Sequence, residues 1–271
     1  MMRKFLKAFA FMAVLAMVII SCKDGDSPRL VSEFDVPLNT ANSIPVVTGR
    51  SETGTASFQL YDNNLLAFQI KINNLVSSDK LTIAHIHTGD VASTGDVLVD
   101  LVDNSKITFS GGMASGQIQL TDAQMSRLTQ GQNLYVNVHS TTYPQGLVRG
   151  QINQMVSDAY NIALSPSNEI PPVTGRSETG MAFIRIVDGV MYYRLVVNNL
   201  SSTDAITMGH IHEGSSTQNG PVYINFDITN LGTTKTLSLT QAQLTKVRTA
   251  AVYVNLHSTQ IPSGLMRGQI R

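Results

Sequence analysis

The chain has one cysteine, Cys22, no tryptophan, and only 14% charged residues. A lone cysteine near the N-terminus excludes disulfides, a thiolate metal site and a cysteine nucleophile within the folded part. Neither sign of charge is in excess: 19 basic residues face 19 acidic ones, and without Arg3, Lys4 and Lys7, in a segment expected to be removed, the balance is 16 against 19. No basic patch stands out, so nucleic acid is not an expected partner. There is no nucleophile elbow, phosphate-binding glycine loop or repeated acid pair at strand ends.

What the N-terminus does contain is an export signal. Arg3, Lys4 and Lys7 precede an apolar run from Ala8 to Ile20, too short to span a bilayer comfortably. Ile19-Ile20-Ser21-Cys22 resembles the lipobox of bacterial lipoproteins, so residues 1–21 read as a signal peptide and Cys22 as the lipidated first residue. Residues 22–29 are then a polar tether. Each acyl methylene buried in lipid contributes roughly 0.8 kcal/mol, enough over several chains to hold a soluble domain at a membrane. The expected location is the bacterial cell envelope, lipid-anchored at the outer membrane on its periplasmic or surface face.

Beyond the tether the chain repeats itself. Ser43-Ile44-Pro45-Val46-Val47-Thr48-Gly49-Arg50-Ser51-Glu52-Thr53-Gly54 returns as Glu169-Ile170-Pro171-Pro172-Val173-Thr174-Gly175-Arg176-Ser177-Glu178-Thr179-Gly180. The copies run from 30 to 152 and from 159 to 271, with a connector at 153–158 so short that the two should touch or nearly touch. The second copy is shorter between Phe226 and Thr240, where a loop tolerates lost length. Within each copy the apolar period is two: Leu66-Ala67-Phe68-Gln69-Ile70-Lys71-Ile72 is a half-buried antiparallel strand, forming a hairpin with 55–61 across Asp62-Asn63-Asn64. Further strands are expected around His85 and over 96–102, 115–120, 134–139 and 147–152. One helix per copy starts at the capping boxes Thr121–Gln124 and Thr240–Gln243. Seven or eight short strands in about 120 residues make an all-β sandwich or barrel.

All six histidines fall in matching places. Ala84-His85-Ile86-His87-Thr88-Gly89 returns as Gly209-His210-Ile211-His212-Glu213-Gly214, while His139 in Tyr135-Val136-Asn137-Val138-His139 returns as His257 in Tyr253-Val254-Asn255-Leu256-His257. Residues two apart on a strand share a face, so His85 and His87 project together, as do His210 and His212. If the His139 strand is a near neighbour, three imidazoles converge in each copy. Three neutral imidazoles with an open fourth position suit zinc or copper. Asn137, Asn255, Thr141 and Thr259 are the candidates for orienting the rings. A polar structural cluster without metal, which can fix strand pairing, is the leading alternative, and a ligand of another kind is the third. Glu52 and Glu178, Asp79 and Asp204, and Asp62 and Asp188 recur and read as solvated loop and turn acids. Arg149 and Arg267 are structural candidates, expected to pair across the barrel with Glu52 and Glu178.

The motifs Ile170-Pro171-Pro172-Val173, Ala84-His85-Ile86-His87-Thr88-Gly89, Gly220-Pro221-Val222, Tyr135-Val136-Asn137-Val138-His139 and Gly146-Leu147-Val148-Arg149-Gly150-Gln151-Ile152, taken together, resemble the successive signatures of the CHRD domain family over nearly all of both copies. The domain is named for chordin and also occurs in exported bacterial proteins. The resemblance implies two tandem immunoglobulin-like β-barrels similar to those of copper-zinc superoxide dismutases. Leu147 and Leu265 stand where the family commonly has glutamate, so any role of that acid is lost here. Dismutase chemistry is not implied: it needs more histidines, a metal-binding aspartate and usually a disulfide. Three functions compete: a non-enzymatic surface module binding a protein or glycan, a zinc- or copper-binding protein, and a metal-dependent enzyme. The doubling of one module on a tether favours the first, since two copies of a surface gain avidity.

Overall fold

A computed structural model describes residues 27–130 and 133–271; Cys22 and the signal segment lie outside them. The first copy contains β1 (Leu30–Asn39), β2 (Thr53–Tyr61), β3 (Leu65–Asn73), β4 (Leu81–Thr88), β5 (Val97–Val102), β6 (Met113–Gln119), α1 (Asp122–Gln130), β7 (Leu134–Ser140) and β8 (Val148–Gln151). The second repeats this order as β9 (Asp158–Leu164), β10 (Thr179–Val187), β11 (Val190–Asn198), β12 (Ile206–Glu213), β13 (Val222–Asn225), β14 (Lys235–Ser238), α2 (Gln241–Thr249), β15 (Val252–Ser258) and β16 (Met266–Gln269). The expected all-β tandem architecture is what the chain adopts. No helix among the described residues is long and apolar enough to cross a membrane.

In the first domain one antiparallel sheet runs β5-β4-β7-β8-β1-β2-β3-β6, a nearly closed barrel. The second keeps the same neighbours as two four-stranded sheets, β13-β12-β15-β16 and β9-β10-β11-β14, joined by a single bridge from Ser165 to Arg267. That bridge matches the one pair linking β1 to β8, Asn39 with Arg149. Gly150 permits this closure, because a Cβ there would sit 2.2 Å from the Pro37 carbonyl oxygen; Gly268 does the same against Ala163.

Alternation builds the cores. Ala56, Phe58 and Leu60 on β2, Leu66, Phe68 and Ile70 on β3, and Val136 and Val138 on β7 all point inward in the first domain. Ala182, Ile184 and Ile186, with Met191, Tyr193 and Leu195, do so in the second. Each fully buried aliphatic or aromatic side chain stabilises its barrel by about 1.5–3 kcal/mol. Both helices begin where the sequence places them. Thr121 and Gln124 exchange backbone and side-chain bonds, as do Thr240 and Gln243, satisfying amides that the first turn would leave bare.

The domains touch. The loop after β4 presses Ala92 into a small apolar cluster with Ile44 and Phe183, bordered by Val46, Met181 and Val196. Arg194 lies over the Phe183 ring at 4.6 Å and donates from Nε to the Ala92 carbonyl oxygen at 2.7 Å. Thr234 donates to Asp90 at 2.9 Å and Asn161 to the Ala41 carbonyl oxygen at 3.1 Å. Beneath the contact Arg185 is fully buried without a carboxylate. Its guanidinium gives hydrogen bonds to the Tyr160 and Ile184 carbonyl oxygens and to Asn161, and burial, then the charges of Arg149 and Arg194, push its pKa down to about 9.

Candidate metal centre

The histidines stand on the outer face of β4 and β7, turned away from the core that Ala84, Ile86, Val136 and Val138 fill from the same strands. Antiparallel pairing sets His85 opposite Asn137 and His87 opposite Tyr135, so His139, two residues further on, lies diagonally from His85. Ring centroids are 5.0 Å apart for His85–His139, 5.4 Å for His85–His87 and 6.3 Å for His87–His139. The second domain gives 5.0, 5.4 and 6.1 Å for the matching pairs of His210, His212 and His257. In each domain one nitrogen from every ring lies within 4.8 Å of the other two. All six residues expected to converge do so.

The main chain sets which nitrogens face inward. His87 Nδ1 bonds the Gly95 carbonyl oxygen at 3.0 Å, and His139 Nδ1 bonds that of Pro144 at 2.9 Å. A carbonyl only accepts, so both Nδ1 atoms carry hydrogen, and in the neutral ring each Nε2 is a bare lone pair. Those Nε2 atoms, with His85 Nδ1, are buried and have no protein partner. In the second domain His212 bonds Gly220 and His257 bonds Pro262, both at 2.9 Å. Burial first, then the neighbouring imidazoles, brings the His85 pKa down to about 4, and burial likewise lowers those of His87, His139, His210 and His212.

In the first domain three imidazoles bring unpartnered nitrogens to one point, two of them on rings held by a carbonyl at the far nitrogen, and that arrangement fits a zinc or copper ion. A self-contained polar cluster would consume those lone pairs internally. The rings are oriented by carbonyls, however, and not by the expected side chains. Thr141 and Thr259 instead bond Asp79 and Asp204, while Asn137 donates to the Gln145 carbonyl oxygen and Asn255 to Glu169.

The arginines depart from expectation as well. Arg149 does not meet Glu52, nor Arg267 Glu178. Arg149 lies 3.5 Å over one face of Tyr135, whose other face stacks on His87 with centroids 5.0 Å apart and planes 5° apart. Arg267, Tyr253 and His212 repeat this stack. Arg149 also donates to the Asp90 carbonyl oxygen, and Gln151 to that of Gly89 at 2.8 Å, so the Arg-Gly-Gln segment of β8 holds the loop whose Gly95 orients His87. Sequence reasoning passed over Tyr135, Gln151 and Gly95, although each recurs in the second copy as Tyr253, Gln269 and Gly220. Burial pushes Arg149 down to about 10, and the tyrosine face offsets part of that cost.

Glu52, Glu178, Asp79 and Asp204 are buried, not solvated; Asp62 and Asp188 are exposed turn residues as expected. Arg50 bridges Glu52 at 2.5 Å and Asp79 at 2.8 Å. Asp79 further accepts from Ser140 and Thr141, both at 2.8 Å, and from the Thr142 amide at 3.1 Å. Burial alone would raise the Asp79 pKa, but these donors and Arg50 hold it well below the usual carboxylate range. Arg176, Glu178 and Asp204 form the same knot with Ser258 and Thr259. Because Asp79 precedes β4 and Ser140-Thr141 follows His139, the knot clamps together the ends of the two histidine strands.

The CHRD domain model matches residues 34–152 and 160–270, and the chain belongs to that family. Chordin from Danio rerio is 25% identical over 237 residues, covering 80% of this chain and 24% of chordin; the chain therefore spans about a quarter of that relative. No solved structure matches the chain.

Proposed function

We propose that the protein is a lipid-anchored, non-enzymatic module of the cell envelope whose two barrels each hold one zinc or copper ion on three histidines. The carrying observation is the set of unpartnered imidazole nitrogens at the centre of the first cluster, two of them on rings whose outer nitrogens are already bonded. Bound there, the ion would take His85, His87 and His139 in one domain and His210, His212 and His257 in the other. Its fourth position would be left for water or a partner group. Zinc and copper calorimetry on the full chain, beside a His87→Ala/His212→Ala double variant, tests this. The expected result is two ions bound by the parent and none by the variant. No heat in the parent removes the reading.

The anchor rests on Cys22 and the apolar run before it, and Cys22→Ser should release the chain from membranes. A second reading, recognition of a glycan, is supported by a groove of about 410 Å³ on the outer face of β1, β2, β3 and β6. Glu33, Ser57, Gln59, Gln69, Ser115 and Gln117 line it with the carboxylate, hydroxyl and amide groups that sugar hydroxyls bond.

A further inference from the structure

We infer that the two histidine sites are unequal, the first domain binding its ion more tightly, and that Asp100 is the positioning residue responsible. The inference rests on the three-histidine reading and adds to it a difference between otherwise superposable clusters. On β5, Asp100 stands in register with His85, and its Oδ1 lies 3.4 Å from His85 Nε2. On β13 the residue in register with His210 is Asn225. A carboxylate beside the ring favours the tautomer with its hydrogen on Nε2, which leaves a bare Nδ1 turned into the cluster, where that atom has no protein partner.

His210 is in the opposite condition. Its Nδ1 lies 3.2 Å from His257 Nε2. The hydrogen on His257 Nδ1 is already given to the Pro262 carbonyl oxygen, so His257 Nε2 accepts and His210 Nδ1 donates. The second cluster thus satisfies two of its own three inward nitrogens; only His212 Nε2 remains without a partner. For an ion to enter, the hydrogen on His210 Nδ1 must leave for Nε2 through solvent, and the bond to His257 must break. The first cluster has no such bond to undo. Its third ligand is also made more electron-rich by the carboxylate behind it, a contribution typically worth 10–100-fold in affinity.

Zinc calorimetry on the full chain should show two single-ion classes about 10–100-fold apart. His87→Ala should delete the tight class and His212→Ala the weak one. Asp100→Asn should bring the tight class down toward the weak, and Asn225→Asp should raise the weak. The Asp100 side chain is 70% exposed, so the amide is expected to fold as the parent does. Nitrogen-15 spectra of the ion-free chain provide a second readout, with His85 protonated on Nε2 and His210 on Nδ1. Two ions of equal affinity, indifferent to Asp100→Asn, would overturn the inequality while leaving the three-histidine reading intact, as would a tight class that disappears with His212→Ala. Absence of any bound zinc in the parent would overturn both.

Discussion

The loop after β4 in the first domain and its counterpart after β12 in the second follow the same path, held by Arg149 and Gln151 in one and by Arg267 and Gln269 in the other. Their tips differ in chemistry. Val91 and Ala92 are buried, Ala92 against the neighbouring barrel, whereas Ser216 and Thr217 at the equivalent places are exposed. The receiving faces differ in the same way: Phe183 and Arg194, which accept the first loop, stand where the first domain has Ser57 and Gln69. A shared backbone therefore does not create the docking; a few side chains do. With polar residues on both unused surfaces, the contact joins one barrel to the next and has no counterpart to continue from either end.

The strongest test of the likeness between the halves is the buried knot. Asp79→Ala and Asp204→Ala should each destabilise its own domain strongly, since each leaves the arginine one carboxylate instead of two and two hydroxyls without their acceptor, and the two losses should match. Hydrogen exchange resolved by domain measures both; a large disparity would show that the matched geometry conceals unequal energetics.

Next comes a deliberate asymmetry in titration. Glu169 occupies the place of Ser43, is buried, and is pushed up to about 7 by burial, with Arg267 and Asn255 pulling the other way. Its Oε1 and the Asn255 Oδ1 both lack partners, while Asn255 Nδ2 donates to Glu169 Oε2 at 3.3 Å, and burial stabilises the carboxyl in its neutral form. Because the folded pKa lies above the unfolded value of 4.5, this stabilisation is complete below 4.5 and is lost as pH rises through about 7, on the order of 3 kcal/mol in all. Glu169→Gln should flatten that slope in the second domain only. The histidines of both domains slope the other way: His85, lowered to about 4, contributes stability above its ordinary 6.5 that falls away on acidification, and His210 and His212 are lowered in the same direction. The smallest expected effect is on docking. Phe183→Ser, giving the second barrel the first one's residue, should remove about 2 kcal/mol of burial and increase inter-domain motion in solution scattering, with both barrels still folded.

Much of this was legible in the chain. A period of two, turn residues and capping boxes located strands and helices, and six histidines confined to repeated motifs predicted two convergent clusters. The partners of Arg149 and Glu52 were not legible, because charge was taken as the guide. Glu52 finds its cation two residues away, and Arg149 uses an aromatic face and carbonyls, acceptors that every residue offers and no motif marks. Ring orientation was missed for the same reason. The docking face did carry a signal, Phe183 against Ser57, that only a comparison of the repeats residue by residue exposes.

The Gly95 carbonyl that orients His87 and the Ala92 that seats against Phe183 belong to one short turn. On the metal reading, filling the cluster and closing the joint between barrels draw on the same few torsions, and any effect of one on the other is returned in equal measure. If the coupling is favourable, a chain that loses its ion swings more freely about its waist, and a pull that parts the barrels loosens the grip on the ion in the first.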